Sequence, residues 1–135
     1  MLQSARNGEF ATIMIAFPCG TFYVTRFFKA DNGNGGDDGP PIIRNFNNPD
    51  GLPDDQIDPQ HIMELKVSNK LLHRVVELAI AARLSPARAT IIVENPSDRS
   101  PGASIASSPE FKEHGSLFRT TAFRRLAAEA GLTKS

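Results

Sequence analysis

Two short apolar runs are the first feature of the hydrophobic pattern. Residues 11–17 form a continuous apolar run that ends at Pro18, and a run of that length before a helix breaker is typical of a buried strand. A second run, rich in β-branched residues, covers 90–95 and ends at Pro96. We therefore predict one strand over 11–17 and another over 90–95.

The clearest helical signal lies between these two runs. Asp58 followed by Pro59 is a helix start, because aspartate can cap free backbone N–H groups and the fixed φ of proline suits the first turn. Apolar residues then recur at three- and four-residue spacing up to Leu84. This period predicts one continuous helix over 59–84 with one face against a sheet. The residues predicted on that face are Ile62, Leu65, Leu72, Val75, Val76 and Ala79.

The remaining segments are predicted mainly from turn-forming residues. Residues 31–57 are rich in glycine, proline, asparagine and aspartate, which predicts a disordered or mobile acidic loop. Residues 97–109 are interpreted as a second loop. Thr121–Ala130, followed by Gly131, is predicted as a last helix with Phe123, Leu126, Ala127 and Ala130 inward. The pattern over 21–28 leaves a short helix and an extended segment both open.

The order strand, helix, strand predicts the fold class. Two strands joined by a long helix almost always form a right-handed parallel crossover, in which both carboxyl ends lie at one sheet edge. We expect a single partial domain over 1–135, of α/β class. Its core is predicted to be a partial Rossmann-like parallel sheet with a β-α-β crossover and a C-terminal helix.

Composition narrows the class of protein. No run approaches the roughly 18 apolar residues that a membrane span needs, and the first residues lack a secretory signal pattern. The single cysteine, Cys19, excludes an internal disulfide and a multi-cysteine zinc site. These features predict a soluble intracellular protein, nuclear or cytoplasmic, with no membrane partner.

The neutral net charge hides an uneven distribution. Residues 31–58 contain seven aspartates and one arginine, a net charge of minus six, so the rest of the chain carries plus six. A basic body of this kind could meet the phosphates of DNA, although a solvated mixed surface explains the same charges.

Candidate chemistry lies just beyond the two predicted strands. Cys19 follows the first strand and Glu94 ends the second, so the crossover would bring thiol and carboxylate to one edge, where open α/β sheets place their ligands. Taken alone, Cys19 could equally be a small buried side chain and Glu94 a surface carboxylate. A phosphatase loop does not fit, since Arg26 follows Cys19 by seven residues rather than six. A cysteine protease would need an activating histidine, and the three histidines, His61, His73 and His114, show no signature spacing.

The residues around these two positions resemble a known family. Pro18-Cys19-Gly20-Thr21-Phe22-Tyr23 resembles the Pro-Pro-Cys-x-x-Phe-Ser motif of DNA cytosine-5 methyltransferases, and Glu94-Asn95-Pro96 resembles their Glu-Asn-Val motif. The segments 39–44 and 49–53 are similar to divergent methyltransferase-like domains of phages and mobile elements. The resemblance covers roughly residues 11 to 100.

The resemblance implies roles for individual residues. It implies that the Cys19 thiolate adds to carbon 6 of a flipped-out cytosine, while Glu94 contacts ring nitrogen 3. Pro18 and Asn95 would shape the two turns. Independently of the resemblance, an activated thiolate needs an electropositive setting, which Arg26, Arg99 or a neighbouring helix start could provide, and Arg99 is placed with the substrate-binding residues. S-adenosylmethionine is the methyl donor that the resemblance implies, and DNA is the implied partner.

Several positions depart from the family pattern. In the cysteine motif, Phe17 stands in place of the first proline and Tyr23 in place of the serine. In the Glu-Asn-Val motif, Pro96 stands in place of the valine. The Gly-rich turn that binds S-adenosylmethionine precedes the cysteine motif in these enzymes, whereas only ten residues precede the predicted strand here. The expectation is a fragment or divergent copy without a cofactor-binding half, inactive alone unless a missing segment or second chain completes it. The alternatives are a non-catalytic module from a mobile element, which binds nucleic acid or protein, and a chain that folds poorly and has no function.

Overall fold

Five regular elements form the framework of the molecule. The computed structural model describes residues 1–17, 20–22, 41–95 and 112–132. In chain order the elements are α1 (Leu2–Arg6), β1 (Thr12–Ala16), α2 (Pro59–Leu84), β2 (Thr90–Glu94) and α3 (Thr121–Ala130). Short 3₁₀ turns occur at Gly20–Phe22, Asp54–Gln56 and Leu117–Arg119.

The two strands form a parallel pair. Thr12 lies opposite Thr90, and the register continues to Ala16 opposite Glu94. The prediction that these strands are parallel neighbours is confirmed, and their ends differ from the predicted bounds by one residue or less at each terminus. The fold is therefore a mixture of helices with a two-stranded parallel sheet, which is the α/β class in its coarse form.

The long helix between the strands is also confirmed. α2 runs without a break from Pro59 to Leu84, although Asp58 makes no side-chain capping hydrogen bond. Proline is tolerated at this start because its missing N–H would have no partner within the helix. At the other end, the Ser85 hydroxyl donates to the carbonyl oxygen of Ala82 (2.7 Å).

The main core lies between α2, one face of the sheet and α3. Leu72 and Val76 of α2 are about 4% and 2% exposed, and they belong to one cluster with Ile15 of β1 and Leu126 of α3. Side chains alternate along each strand, so one face of the sheet enters this core while the other remains exposed. The two exposed large residues on the uncovered face are Met14 and Ile92.

The first turns of α2 pack differently from the prediction. Leu65 belongs to a separate cluster with Ile43 and Ile57, with Ile62 against its side, so this part of the stripe contacts residues 41–57 rather than the sheet. The composition of 31–57 predicted a mobile loop. Residues 41–57 contain no strand, but they bury Ile43 and Ile57 against α2, which is more apolar contact than that composition indicates.

The last helix begins and ends as predicted. The Thr120 hydroxyl accepts a hydrogen bond from the Phe123 N–H, and Gly131 ends the helix in the left-handed region at φ 67°. Leu126 and Ala130 are buried as predicted, Ala122 joins them, and Phe123 is only half-buried. The undecided segment 21–28 begins with the 3₁₀ turn, and its residues from 23 onward, like loop 97–109, lie outside the described residues. No helix in the described part of the chain is long and apolar enough to cross a membrane.

Candidate functional site

The carboxyl edge of the sheet is the candidate site. The register places Ala16 opposite Glu94, so Phe17 and Asn95 are the next residues along the two chains. Glu94 and Asn95 are thereby fixed at this edge. Pro18, Cys19 and Arg99 lie outside the described residues, so the predicted proximity of Cys19 to Glu94 is not tested.

Glu94 and Asn95 have different surroundings. Glu94 is exposed and belongs to the uncovered side of the sheet. Asn95 follows it, and its side-chain oxygen and nitrogen are both buried without a hydrogen-bond partner among the described residues. A buried polar group in this state costs about 1 to 3 kcal/mol.

The buried amide of Asn95 predicts a variant that is more stable than the wild type. Asn95→Leu keeps the approximate size of the side chain and removes both unpartnered polar atoms. We expect a gain of about 1 to 2 kcal/mol in the free energy of unfolding, measured by urea denaturation. The matched control is Asn69→Leu, which should lose stability because the Asn69 amide is hydrogen-bonded at both ends. A loss of stability in Asn95→Leu would contradict the assignment of an unused amide.

A buried arginine lies beside the turn that follows the β1 segment. Arg44 is about 2% exposed. Its Nε donates to Thr21 Oγ1 (3.1 Å) and its Nη1 to the Pro49 carbonyl oxygen (2.9 Å). Its Nη2 donates to Ser68 Oγ (3.1 Å) and Asn69 Oδ1 (2.8 Å). We call this set of contacts the Arg44 bracket, and it joins the turn Gly20–Phe22 to residues 41–53 and to the middle of α2.

An aromatic ring packs against Arg44, and two of its hydroxyl acceptors also contact each other. The Phe22 ring lies 4.2 Å from Arg44 Cζ, which is a cation–π distance. Phe22 in turn meets Phe17 edge to face, with ring centroids 6.2 Å apart. The hydroxyls of Thr21 and Ser68 are 3.2 Å apart, and either can donate. The Phe22 ring therefore lies between the arginine and Phe17, the first residue beyond β1.

The same network extends to α3 and to the segment before it. Asn69 Nδ2 donates to the Asp50 carbonyl oxygen (2.7 Å). The Asp50 carboxylate accepts from the Thr121 N–H (3.0 Å) and hydroxyl (2.6 Å) at the start of α3. His114, about 1% exposed, has Nε2 2.8 Å from the Phe22 carbonyl oxygen. Segments distant in sequence therefore meet in one polar network that includes the turn Gly20–Phe22.

Sequence reasoning missed the role of Arg44. A usable signal was present, because Arg44 is the only basic residue in the acidic stretch 31–58 and it follows Ile42 and Ile43. A lone arginine beside apolar residues indicates a buried guanidinium whose donors need acceptors. The sequence does not indicate which hydroxyls and carbonyls provide them, because Thr21 and Ser68 are far from Arg44 along the chain.

The described residues do not fit S-adenosylmethionine. The family's cofactor turn follows a strand, whereas the described segment ahead of β1 consists of helix α1 and its connection. α1 packs through Ala5 against Ala82 and Ala89, which fills that side with small apolar residues. No three His, Cys, Asp or Glu side chains converge as a metal site in the part of the chain that the structure describes.

Comparisons with known proteins leave the family open. The chain matches no family model, no curated protein and no solved structure. The features of this chain that bear on function are its motifs and the geometry of the carboxyl edge.

Proposed function

We propose that this chain is the base-binding half, or a divergent copy, of a DNA cytosine-5 methyltransferase-like domain that does not transfer methyl groups alone. The observation that carries the proposal is the parallel register of β1 and β2, with Ala16 opposite Glu94. Parallel pairing brings the segment leading to Cys19 and the Glu-Asn-Pro segment to one edge. Each motif alone is too short to identify a family. Their positions after two adjacent parallel strands make the combined resemblance more specific.

The proposed chemistry uses the Cys19 thiolate, the Glu94 carboxyl group and water. The Cys19 thiolate forms a bond to carbon 6 of cytosine, and the electron pair of the 5,6 double bond makes carbon 5 nucleophilic. Glu94, in its protonated form, would donate a hydrogen bond to ring nitrogen 3 and favour this flow of electrons. Carbon 5 accepts a proton from water, which leaves hydroxide, and later loses its original hydrogen as a proton to that hydroxide. The carbon–sulfur bond then breaks and the double bond re-forms, so the net result is hydrogen exchange at carbon 5.

The exposure of Glu94 supports this assignment. Glu94 is exposed on the uncovered face of the sheet, so a flipped-out base can reach it without displacing core residues.

Hydrogen exchange provides a test that needs no cofactor. We expect the wild-type chain to release tritium from DNA that contains 5-tritiated cytosine. Cys19→Ser should lower the rate by about 100-fold or more, because serine is far less ionised than cysteine at neutral pH. Glu94→Gln should lower the rate by about 10- to 100-fold. Glu9→Gln, at another exposed glutamate, is the matched control and should leave the rate unchanged.

The outcomes separate this proposal from a non-catalytic module. Hydrogen exchange that survives Cys19→Ser would reject Cys19 as the nucleophile. Wild-type exchange no faster than without protein would reject the proposed chemistry.

The non-catalytic alternative has its own structural support, since an exposed basic row at four-residue spacing on α2 is formed by Lys66, Lys70 and Arg74. DNA binding that weakens steeply with salt, combined with no tritium release, would favour the non-catalytic module. With methyl-labelled S-adenosylmethionine, we expect no transfer by the chain alone.

A further inference from the structure

We infer that the Arg44 bracket is a positioning device for the turn that follows the proposed nucleophile. This inference rests on the proposed function of Cys19, and it concerns the described residues that hold the next part of the chain. Thr21 follows Cys19 by two residues. A residue spans at most about 3.6 Å of chain, so whatever fixes Thr21 limits how far the preceding thiol can move.

The contacts of Arg44 are arranged to fix this turn rather than only to fill space. A guanidinium has five N–H donors in a rigid fork, and four hydrogen bonds lead from Arg44 to three different segments among the described residues. Among these, the bond from Nε to Thr21 is the one that reaches the turn. The Phe22 ring against the guanidinium face fixes the next residue as well. The guanidinium therefore contacts the turn in two ways. Its edge donates a hydrogen bond to Thr21, and its face packs on the Phe22 ring.

The geometry of the guanidinium explains why an arginine suits this position. Its planar fork donates at once to the turn, to α2 and to residues 41–53. A lysine ammonium is a point charge and lacks this fixed fork.

The test measures motion of the turn and access to the thiol, independently of any activity. Thr21→Val removes the hydroxyl but keeps the branched shape, and Arg44→Lys keeps the charge but loses the fork. We expect both to speed amide hydrogen exchange at residues 20–22 by tenfold or more. Alkylation of Cys19 by iodoacetamide, followed by intact mass, should also be faster by at least fivefold. Cys19 is the only cysteine, so the mass change reports this thiol alone.

Two further variants separate positioning from general loss of stability. Thr21→Ser keeps the hydroxyl and should restore wild-type rates of both reactions. Asp50→Ala removes the carboxylate that binds the start of α3, so it should speed amide exchange around residue 121 without changing residues 20–22 or the alkylation of Cys19. Wild-type rates in Thr21→Val, or equal effects of Thr21→Val and Asp50→Ala on the thiol, would overturn the inference.

The results for this inference and for the cytosine chemistry are distinguishable. Faster alkylation in Thr21→Val, with no tritium release by the wild type, would support positioning and reject the chemistry. Tritium release by the wild type that Thr21→Val leaves unchanged, with unchanged alkylation, would reject positioning and support the chemistry. If both hold, Thr21→Val should lower the maximal rate of tritium release more than it raises the DNA concentration for half-maximal rate, because the defect lies in geometry rather than in DNA binding.

Discussion

Replacing Leu72 by alanine should cost about 3 kcal/mol of the free energy of unfolding. Leu72 is about 4% exposed and belongs to the core cluster formed by α2, β1 and α3. Removing its three outer carbons loses their transfer free energy and leaves a cavity that packed neighbours only partly fill, so losses of roughly 2 to 5 kcal/mol are typical. The measurement is urea denaturation monitored by helical circular dichroism, with the slope checked for two-state behaviour.

Leu71 is the matched control for this prediction. It is the preceding residue of the same helix and is about 41% exposed. Leu71→Ala should change stability by about 0.5 kcal/mol, because little packing is lost at a surface position. Equal losses from the two variants would contradict the orientation of α2 against the sheet.

Arg44→Met should destabilise the protein by a similar amount, about 3 kcal/mol. Methionine roughly follows the path of the arginine stem, but it leaves Asn69 Oδ1, the Pro49 carbonyl oxygen and a pair of hydroxyls without their donor. Each hydrogen bond from a charged donor contributes roughly 1.5 to 3 kcal/mol, and relief of the buried charge offsets part of the total. Urea denaturation measures the loss. Arg74→Met, at an exposed arginine of α2, should be nearly neutral.

A double variant tests the cause of this loss. If unpartnered acceptors dominate, Arg44→Met combined with Asn69→Leu should cost less than the two single changes added together, because the second change removes an acceptor that the first leaves unpaired. Full additivity would instead mean that the arginine and the amide act independently. That result would reject the bracket as one cooperative network.

The periodicity of the sequence was sufficient for the elements that bury one continuous face. α2 was predicted over 59–84 and is observed over Pro59–Leu84, because a stripe at three- and four-residue spacing can be buried only as a helix. The two apolar runs were predicted as parallel neighbours and pair in that way. Their short length and the long helix between them leave few other arrangements. Gly131 marked the end of α3 for an equally local reason, since its φ of 67° favours glycine.

The tertiary structure decided what the same stripe contacts at each point along its length. Leu65 and Leu72 have the same hydropathic character in the sequence, but Leu65 meets Ile43 and Ile57 whereas Leu72 meets the core beside the sheet. Periodicity identifies the buried face of a helix, but it does not indicate which segment of the chain packs against that face. Residues 41–57 therefore bury more apolar surface than their turn-forming composition indicates, because Ile43 and Ile57 pack against α2.

The candidate site also has features that the sequence predicted and features that only the folded chain shows. The sequence by itself determined that Glu94 and Asn95 end a strand adjacent and parallel to the one before Cys19, because strand order and helix length constrain the crossover. The sequence did not determine that Glu94 is exposed while the Asn95 amide is buried without a partner in the described part of the chain. Nor did it reveal Arg44 between Thr21 and α2. Hydrogen bonds between residues 23 to 25 positions apart leave no periodic trace along the chain, so only the folded chain could bring them together.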